Sequence, residues 1–230
     1  LPTIKQGLAA PSDLIDLGQL ADLKGIHVSA ETLTIGAMTR HAEVAASAEA
    51  RKAIPALAHL AGLIGDPQVR NTGTLGGSLA NSDPAADYPA AVMALGATIH
   101  TNQRSIAAED YFLDLFETAL EPGELIVKVE FPIPQRAGYA KFPKPASRYA
   151  IVGVTVVETE NGIRVGVTGA GPCAFRCTPI EDALAKGFSA EAVKRVAIDH
   201  SRSNSDLHAS AEYRGALVTV MAGRAVAAIG

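Results

Sequence analysis

Apolar and polar positions alternate through Ile26–Ser29 and again through Thr32–Gly36, on either side of Ala30-Glu31, which predicts an antiparallel hairpin near the amino terminus. Before it, Leu14–Leu17 follows the turn signal Pro11-Ser12-Asp13 and reads as a brief strand or extended segment. The period then lengthens. Thr39, with Glu43 behind it, caps an Ala-rich helix to about Ala48, and Pro55 fits the first turn of a second helix from about Ile54 to Leu63. From Gly65 to Asp87 the chain is dense in Gly, Pro and small polar residues, too Gly-rich for a regular element, and a structured loop is expected. Ala90–Leu95 looks helical, Ala97–Thr101 and Ser105–Ala107 look like strands around Asn102-Gln103, and Glu124–Phe131 alternates as a strand stopped by Pro132 and Pro134. The prolines between Pro132 and Pro145 suggest a domain boundary near Ala140. Tyr149–Glu158 and Ile163–Thr168 flank Asn161-Gly162, the pair that a tight primed hairpin turn favours. Helices follow, from Thr178-Pro179 to Gly187, from Ser189, and over Ser210–Ala228, where Leu217, Val220, Met221 and Ala225 predict one buried face.

The expected class is α+β: a mixed or antiparallel sheet flanked by helices, then a carboxy-terminal antiparallel sheet with helices, divided as residues 1–140 and 141–230. The 230 residues, 48% hydrophobic and 19% charged, are enough for one large domain or two modest ones with a sizeable core. Lys and Arg number 20 against 24 Asp and Glu, with no basic run to neutralise a phosphate backbone, so a nucleic-acid partner is not expected. No apolar window approaches the ~18–20 residues of a membrane span, and no signal-peptide pattern opens the chain, so a soluble cytoplasmic protein is expected. The six His are scattered and Cys173 and Cys177 alone cannot complete a metal or cluster set, so no metal site is expected. Neither a Gly-x-Ser-x-Gly elbow nor a Walker loop is present. Arg164–Ala174 imitates a Rossmann fingerprint, but the preceding Asn-Gly turn makes its strand antiparallel and Pro172 delays any helix.

The segment with most chemical content is Gly65–Asp87. Gly76 and Gly77 remove side chains from the path of a ligand, so their N–H groups could form a nest for phosphate oxygens. Thr74, Ser78 and Asn81 add neutral polar groups, and Asp87 suits a pair of ribose hydroxyls. A plain tight turn is the alternative reading of the glycine pair.

The run Gly-Asp-Pro-Gln-Val-Arg-Asn-Thr-Gly-Thr-Leu-Gly-Gly-Ser-Leu-Ala-Asn (65–81), followed by Asp-Pro-Ala-Ala-Asp (83–87), resembles the second flavin motif of the FAD-binding medium subunits of molybdenum hydroxylases. Aerobic carbon monoxide dehydrogenase belongs to this group, and xanthine dehydrogenases carry an equivalent domain. Leu33–His41, Phe116–Ile126 and Ser205–Arg214 agree in order, so the resemblance covers nearly the whole chain. It implies a vanillyl-alcohol-oxidase-like (PCMH) FAD-binding middle domain and a carbon monoxide dehydrogenase flavoprotein-like carboxy-terminal domain. Thr74, Gly76, Gly77 and Ser78 would hold the FAD pyrophosphate, Asn81 would lie beside the flavin, and Asp87 would bind ribose or ribityl hydroxyls. Ile126 would sit near the adenine or along the FAD channel, and Lys144 would reach the pyrimidine edge, where a cation favours the anionic reduced ring. Tyr149 would cover the ring or, equally, pack in the core as a strand aromatic.

The resemblance further implies a large subunit with the molybdenum cofactor and a small subunit with two two-iron two-sulfur clusters, from which electrons pass through FAD to an external acceptor. No transmembrane segment is expected, and peripheral association of the complex with a membrane stays open. A first flavin motif, Ala-Gly-Gly-x-Ser, precedes a Leu-Leu-Pro stretch in these subunits, whereas this chain opens Leu1-Pro2. The expectation is therefore a truncated first lobe and weakened or absent FAD binding. A stand-alone FAD oxidoreductase and a flavin-free assembly module are the rival readings.

Overall fold

The computed structural model describes residues 2–8 and 10–229; Leu1, on which the reading of the chain's start depends, lies outside them. A short helix α1 (Pro2–Lys5) comes first, and Leu14–Leu17 belongs to no helix or strand. Five strands then form the first sheet, β1 (Ile26–Val28), β2 (Thr32–Gly36), β3 (Thr98–Thr101), β4 (Ser105–Ala107) and β7 (Ile126–Pro132), in the order β1-β2-β7-β3-β4. Every pairing in it is antiparallel. The period-2 pattern explains its register: Leu33 faces Phe131, Ile35 faces Val129 and Val129 faces Ile99, all fully buried on one side. Between β4 and β7 lie the single turn α8 (Ala108–Tyr111) and a small hairpin of β5 (Phe112–Asp114) and β6 (Glu117–Thr118).

Helices α2 (His41–Ala46), α3 (Ala48–Ala53) and α4 (Pro55–Gly62) follow β2 and bury Val44, Ala50, Leu57 and Leu60 in the first core. The first begins one residue beyond the expected Thr39 cap. The Arg40 N–H donates to the Glu43 carboxylate at 2.7 Å, while the Thr39 hydroxyl is taken by both backbone groups of Gly25. Ser47 separates α2 from α3 by capping the latter through the Ala50 N–H, a break that the uniform Ala content conceals.

The expected Gly65–Asp87 loop is instead two helices, α5 (Pro67–Thr72) and α6 (Leu75–Asn81). Each has an ordinary start: Asp66 accepts from the Val69 N–H with Pro67 at the first position, and Thr74 accepts from the Gly77 N–H. Two capping residues outweigh the low helix propensity of the intervening glycines. Helix α7 (Tyr88–Leu95) follows, with all eight residues buried, and ends at Gly96 in the left-handed region (φ +62°).

The second sheet, β11-β10-β9-β8, contains β8 (Arg136–Pro143), β9 (Ala150–Thr159), β10 (Gly162–Thr168) and β11 (Phe175–Arg176), again wholly antiparallel. Ala140 lies inside β8, so the sheets change over between Pro132 and Arg136 and not at Ala140. Proline content misleads there because Pro143 sits at the end of an edge strand, where no ladder donor is missed. The β9–β10 turn also departs from expectation. Its two residues are Glu160 and Asn161, neither with positive φ, and the positive φ falls instead on Gly162 (φ +120°), which pairs with Thr159 at the start of β10. The antiparallel β10 rules out the Rossmann reading of Arg164–Ala174.

Helices α9 (Thr178–Lys186), α10 (Ala190–Val193) and α11 (Ala211–Ala227) close the second core, with Ser189 and Ser210 capping the last two. The α11 face buried on β8 and β9 is Arg214, Leu217, Val218, Met221, Ala222 and Ala225; Val220 is 47% exposed. No helix among the described residues is long and apolar enough to cross a membrane.

The two sheets meet at α7. A Cβ on Gly166 would lie 2.0 Å from the Ala90 carbonyl oxygen, so β10 approaches α7 backbone to backbone. Replacing Gly166 with Ala should destabilise the chain by about 1–3 kcal/mol or more, the cost of overpacking a filled core. Gly187, with nothing within 4 Å of its Cβ position, should accept Ala within roughly 0.5 kcal/mol. Urea denaturation of the two variants checks the contrast.

Candidate functional site

A cavity of about 600 Å³ opens between α5, α6, the approach to α7 and the 144–149 turn. Among its lining residues are five of the nine expected site residues, Gly77, Ser78, Asn81, Asp87 and Tyr149, together with His41, Asp83 and Arg148, which the sequence reading did not single out. Its size falls within the ~300–1,000 Å³ typical of small-molecule sites.

Helix α6 forms one wall, and its backbone is already committed. The Leu75 N–H donates to the Thr39 carbonyl at 3.1 Å and the Gly76 N–H to the Ala37 carbonyl at 2.8 Å. The Gly77 N–H donates to the Thr74 hydroxyl at 3.2 Å and the Ser78 N–H to the Thr74 carbonyl at 3.0 Å. The expected nest of free N–H groups therefore does not exist in this conformation. Gly76 is instead a packing residue, since its Cβ would lie 2.6 Å from the Ala37 Cβ, and Thr74 is the cap. Gly77 differs: an added Cβ would meet only the Thr74 hydroxyl, at 2.9 Å, and its bare face lines the cavity.

Asp87 lines the cavity but is 4% exposed and paired within the protein. Lys141 Nζ lies 2.8 Å from its Oδ1 and 3.1 Å from its Oδ2, and the Tyr139 hydroxyl donates to Oδ1. Burial pushes the Asp87 carboxyl above its ordinary value, while the Lys141 ammonium and the Tyr139 hydroxyl favour its charged form. A carboxylate so engaged has little left for ribose hydroxyls. Asp83 is the more available one, with Oδ1 accepting from the Ala85 N–H at 2.9 Å.

Besides Thr74 and Gly76, two more expected residues fall outside the lining. Ile126 is 6% exposed, packed in the first core on β7. Lys144 closes the turn through its backbone, accepting from the Arg148 N–H at 2.9 Å and donating to the Tyr149 carbonyl at 2.8 Å. Tyr149 itself is 46% exposed, which removes the reading of a core aromatic; burial, then Asp83 and Asp87, raise its phenol pKa.

His41 is 5% exposed, packs on Tyr88 with ring centroids 5.4 Å apart, and leaves no room for a Cβ on Gly73, which would lie 2.6 Å from Nε2. Burial, then the Arg70 guanidinium, pull its pKa down to about 4, so the ring is neutral at pH 7. The available signal was its place in the first turn of α2, one helical turn before the buried Val44. Lys141 was legible as the i+2 neighbour of Tyr139 on one face of β8. A second cavity, about 500 Å³, lies near Phe112, Cys173 and Arg176 and contains none of the nine.

Antiparallel sheets flanked by helices are the architecture of the class that the comparisons show. Residues 1–134 match the family model for the FAD binding domain in molybdopterin dehydrogenase. The chain belongs to this family: it is an FAD-binding oxidoreductase subunit of the molybdenum hydroxylases, similar to carbon monoxide dehydrogenase medium chains. It is 34% identical to the carbon monoxide dehydrogenase medium chain of Hydrogenophaga pseudoflava, over 98% of this chain and 84% of that protein. It is 33% identical to the 6-hydroxypseudooxynicotine dehydrogenase complex subunit alpha of Paenarthrobacter nicotinovorans, over 99% of this chain and 82% of that one. A solved structure of the H. pseudoflava carbon monoxide dehydrogenase superposes with a TM-score of 0.90 at 34% identity, covering 99% of this chain and 85% of that one.

Because the folded pKa of His41 lies below its unfolded value of about 6.5, the unfolded chain takes up a proton first on acidification. His41 therefore stabilises the fold above pH ~6.5, and that contribution is lost as the pH falls toward 4. Thermal melts at pH 7 and 4.5 should show a smaller acid loss in His41→Gln than in the wild type; equal losses would contradict the assignment.

Proposed function

We propose that this chain carries FAD in the α6–Tyr149 cavity and relays electrons from the iron–sulfur clusters of a small subunit to an external acceptor. A large subunit with the molybdenum cofactor oxidises the substrate, in a cytoplasmic complex of the aerobic carbon monoxide dehydrogenase type. The observation that carries the reading is the convergence of Gly77, Ser78 and Asn81 with Tyr149, from the β8–β9 turn of the second sheet, on one cavity.

The lining suits the cofactor. The bare Gly77 face admits a flat or bulky group, Ser78 and Asn81 offer neutral donors and acceptors, and Arg148 and the half-exposed Tyr149 line the cavity from the 144–149 turn. FAD supplies the ability to accept electrons singly and release them in pairs. The chain's own residues bind and orient. Ser78 and Asn81 hydrogen-bond polar edges, Asp83 accepts from sugar or ribityl hydroxyls, Arg148 balances anionic charge, and Tyr149 shields the ring from water. Thr74 and Gly76 act indirectly, by fixing α6 against Ala37–Arg40. Asp87 acts through Lys141, and no residue has to move a proton.

Gly77→Val, made in the chain co-expressed with its partner subunits, tests the site. Valine there should lower flavin bound per chain at least tenfold with the melting temperature nearly unchanged; undiminished flavin would contradict the assignment. A wild-type chain that is purified alone with flavin and oxidises substrate unaided would replace the subunit reading with a stand-alone oxidoreductase. A wild-type complex without flavin would support the assembly module.

A further inference from the structure

Lys141 is a buried cation whose hydrogen bonds exceed what charge balance needs. Its side chain is 4% exposed, and Asp87 alone would neutralise it. The remaining hydrogens go to two backbone carbonyls, Leu63 O at 2.8 Å and Arg148 O at 2.8 Å. Those acceptors belong to two separate segments that lead into the cavity lining. Leu63 ends α4 and precedes the lining residues Ile64 and Gly65, while Arg148 and the adjacent Tyr149 line it from the 144–149 turn. Arg148 has φ +62°, a left-handed conformation that a side chain makes costly, and its guanidinium reaches back to Gly65 O at 3.4 Å. One ammonium thus ties the α4 end, the α7 start and the Tyr149 turn together.

We propose that Lys141 is a positioning residue for the flavin cavity: by holding Leu63 O and Arg148 O on one ammonium, it sets the separation between the α4–α5 side and the Tyr149 turn. The inference rests on reading the cavity as the FAD site. The competing role is purely structural, with Lys141 only compensating the buried Asp87 charge.

Two variants in the co-expressed complex separate these roles. Lys141→Met combined with Asp87→Asn removes both charges together, so no unpaired ion is left buried. Lys141→Arg keeps the cation beside Asp87, but its planar fork does not reproduce a three-way ammonium contact. In both, the melting temperature should stay within a few degrees of wild type, FAD should bind at least tenfold more weakly, and amides of residues 144–149 should exchange hydrogen faster. Visible circular dichroism of the residual bound flavin should change as well. Wild-type FAD affinity and wild-type exchange over 144–149, in whichever variant folds, would overturn the proposal. Failure of the wild-type complex to bind added FAD would overturn the flavin reading of the cavity, and exchange at 144–149 would still decide whether Lys141 holds the turn.

Discussion

Helix α7 is the constraint on which the rest depends. Eight buried residues leave it no solvent-facing side, so its polar ends must be satisfied by neighbours. At its carboxyl end Arg164 of β10 donates to the Met93 and Ala94 carbonyls at 2.9 and 3.0 Å, placing a cation where the helix dipole is negative. At its amino end Asp87 meets Lys141 and Tyr139 of β8. The residues leading into it are held by the second sheet too, with the Thr168 hydroxyl on the Pro84 and Ala86 carbonyls and the Gly169 N–H on Pro84. The second core therefore fixes a helix that the first core encloses.

That arrangement decides the character of the cavity. The chain between Asn81 and Asp87, which forms part of its lining, takes its shape from contacts with β8 and β10. The flavin-motif segment cannot build the site alone: α6 supplies a wall whose N–H groups are spent on Ala37–Thr39, and further lining comes from a turn some seventy residues later. Glycines divide into two physical roles for the same reason. Gly76 and Gly166 allow close backbone approach, whereas Gly77 keeps a surface bare.

Much of this was readable in the residues. The β1–β2 and β9–β10 hairpins follow from alternation, α4 and α9 from a proline in the first turn, and α11 from its apolar stripe with Ser210 as the cap. Five of the nine expected site residues gather in one cavity, because motif resemblance tracks local geometry that spacing preserves. The failures also have physical causes. Glycine density hid α5 and α6, whose caps at Asp66 and Thr74 decide the matter. Proline density hid β8, an edge strand that tolerates it. The partners of Asp87, Tyr139 and Lys141, were not legible because they lie more than fifty residues away in sequence. Lys144 and Lys141 are three apart on the same segment, and only the pairing of β8 shows that the second is the one turned inward.

The central claim is that the flavin lies between Ser78–Asn81 and the Tyr149 turn, in a cavity whose shape α7 imposes. A structure of the chain with FAD bound in its complex tests this most directly. The account predicts ring density against Tyr149, with Asp87 still bonded to Lys141; flavin density in the Cys173 cavity, or Asp87 released from Lys141 onto the cofactor, would contradict it.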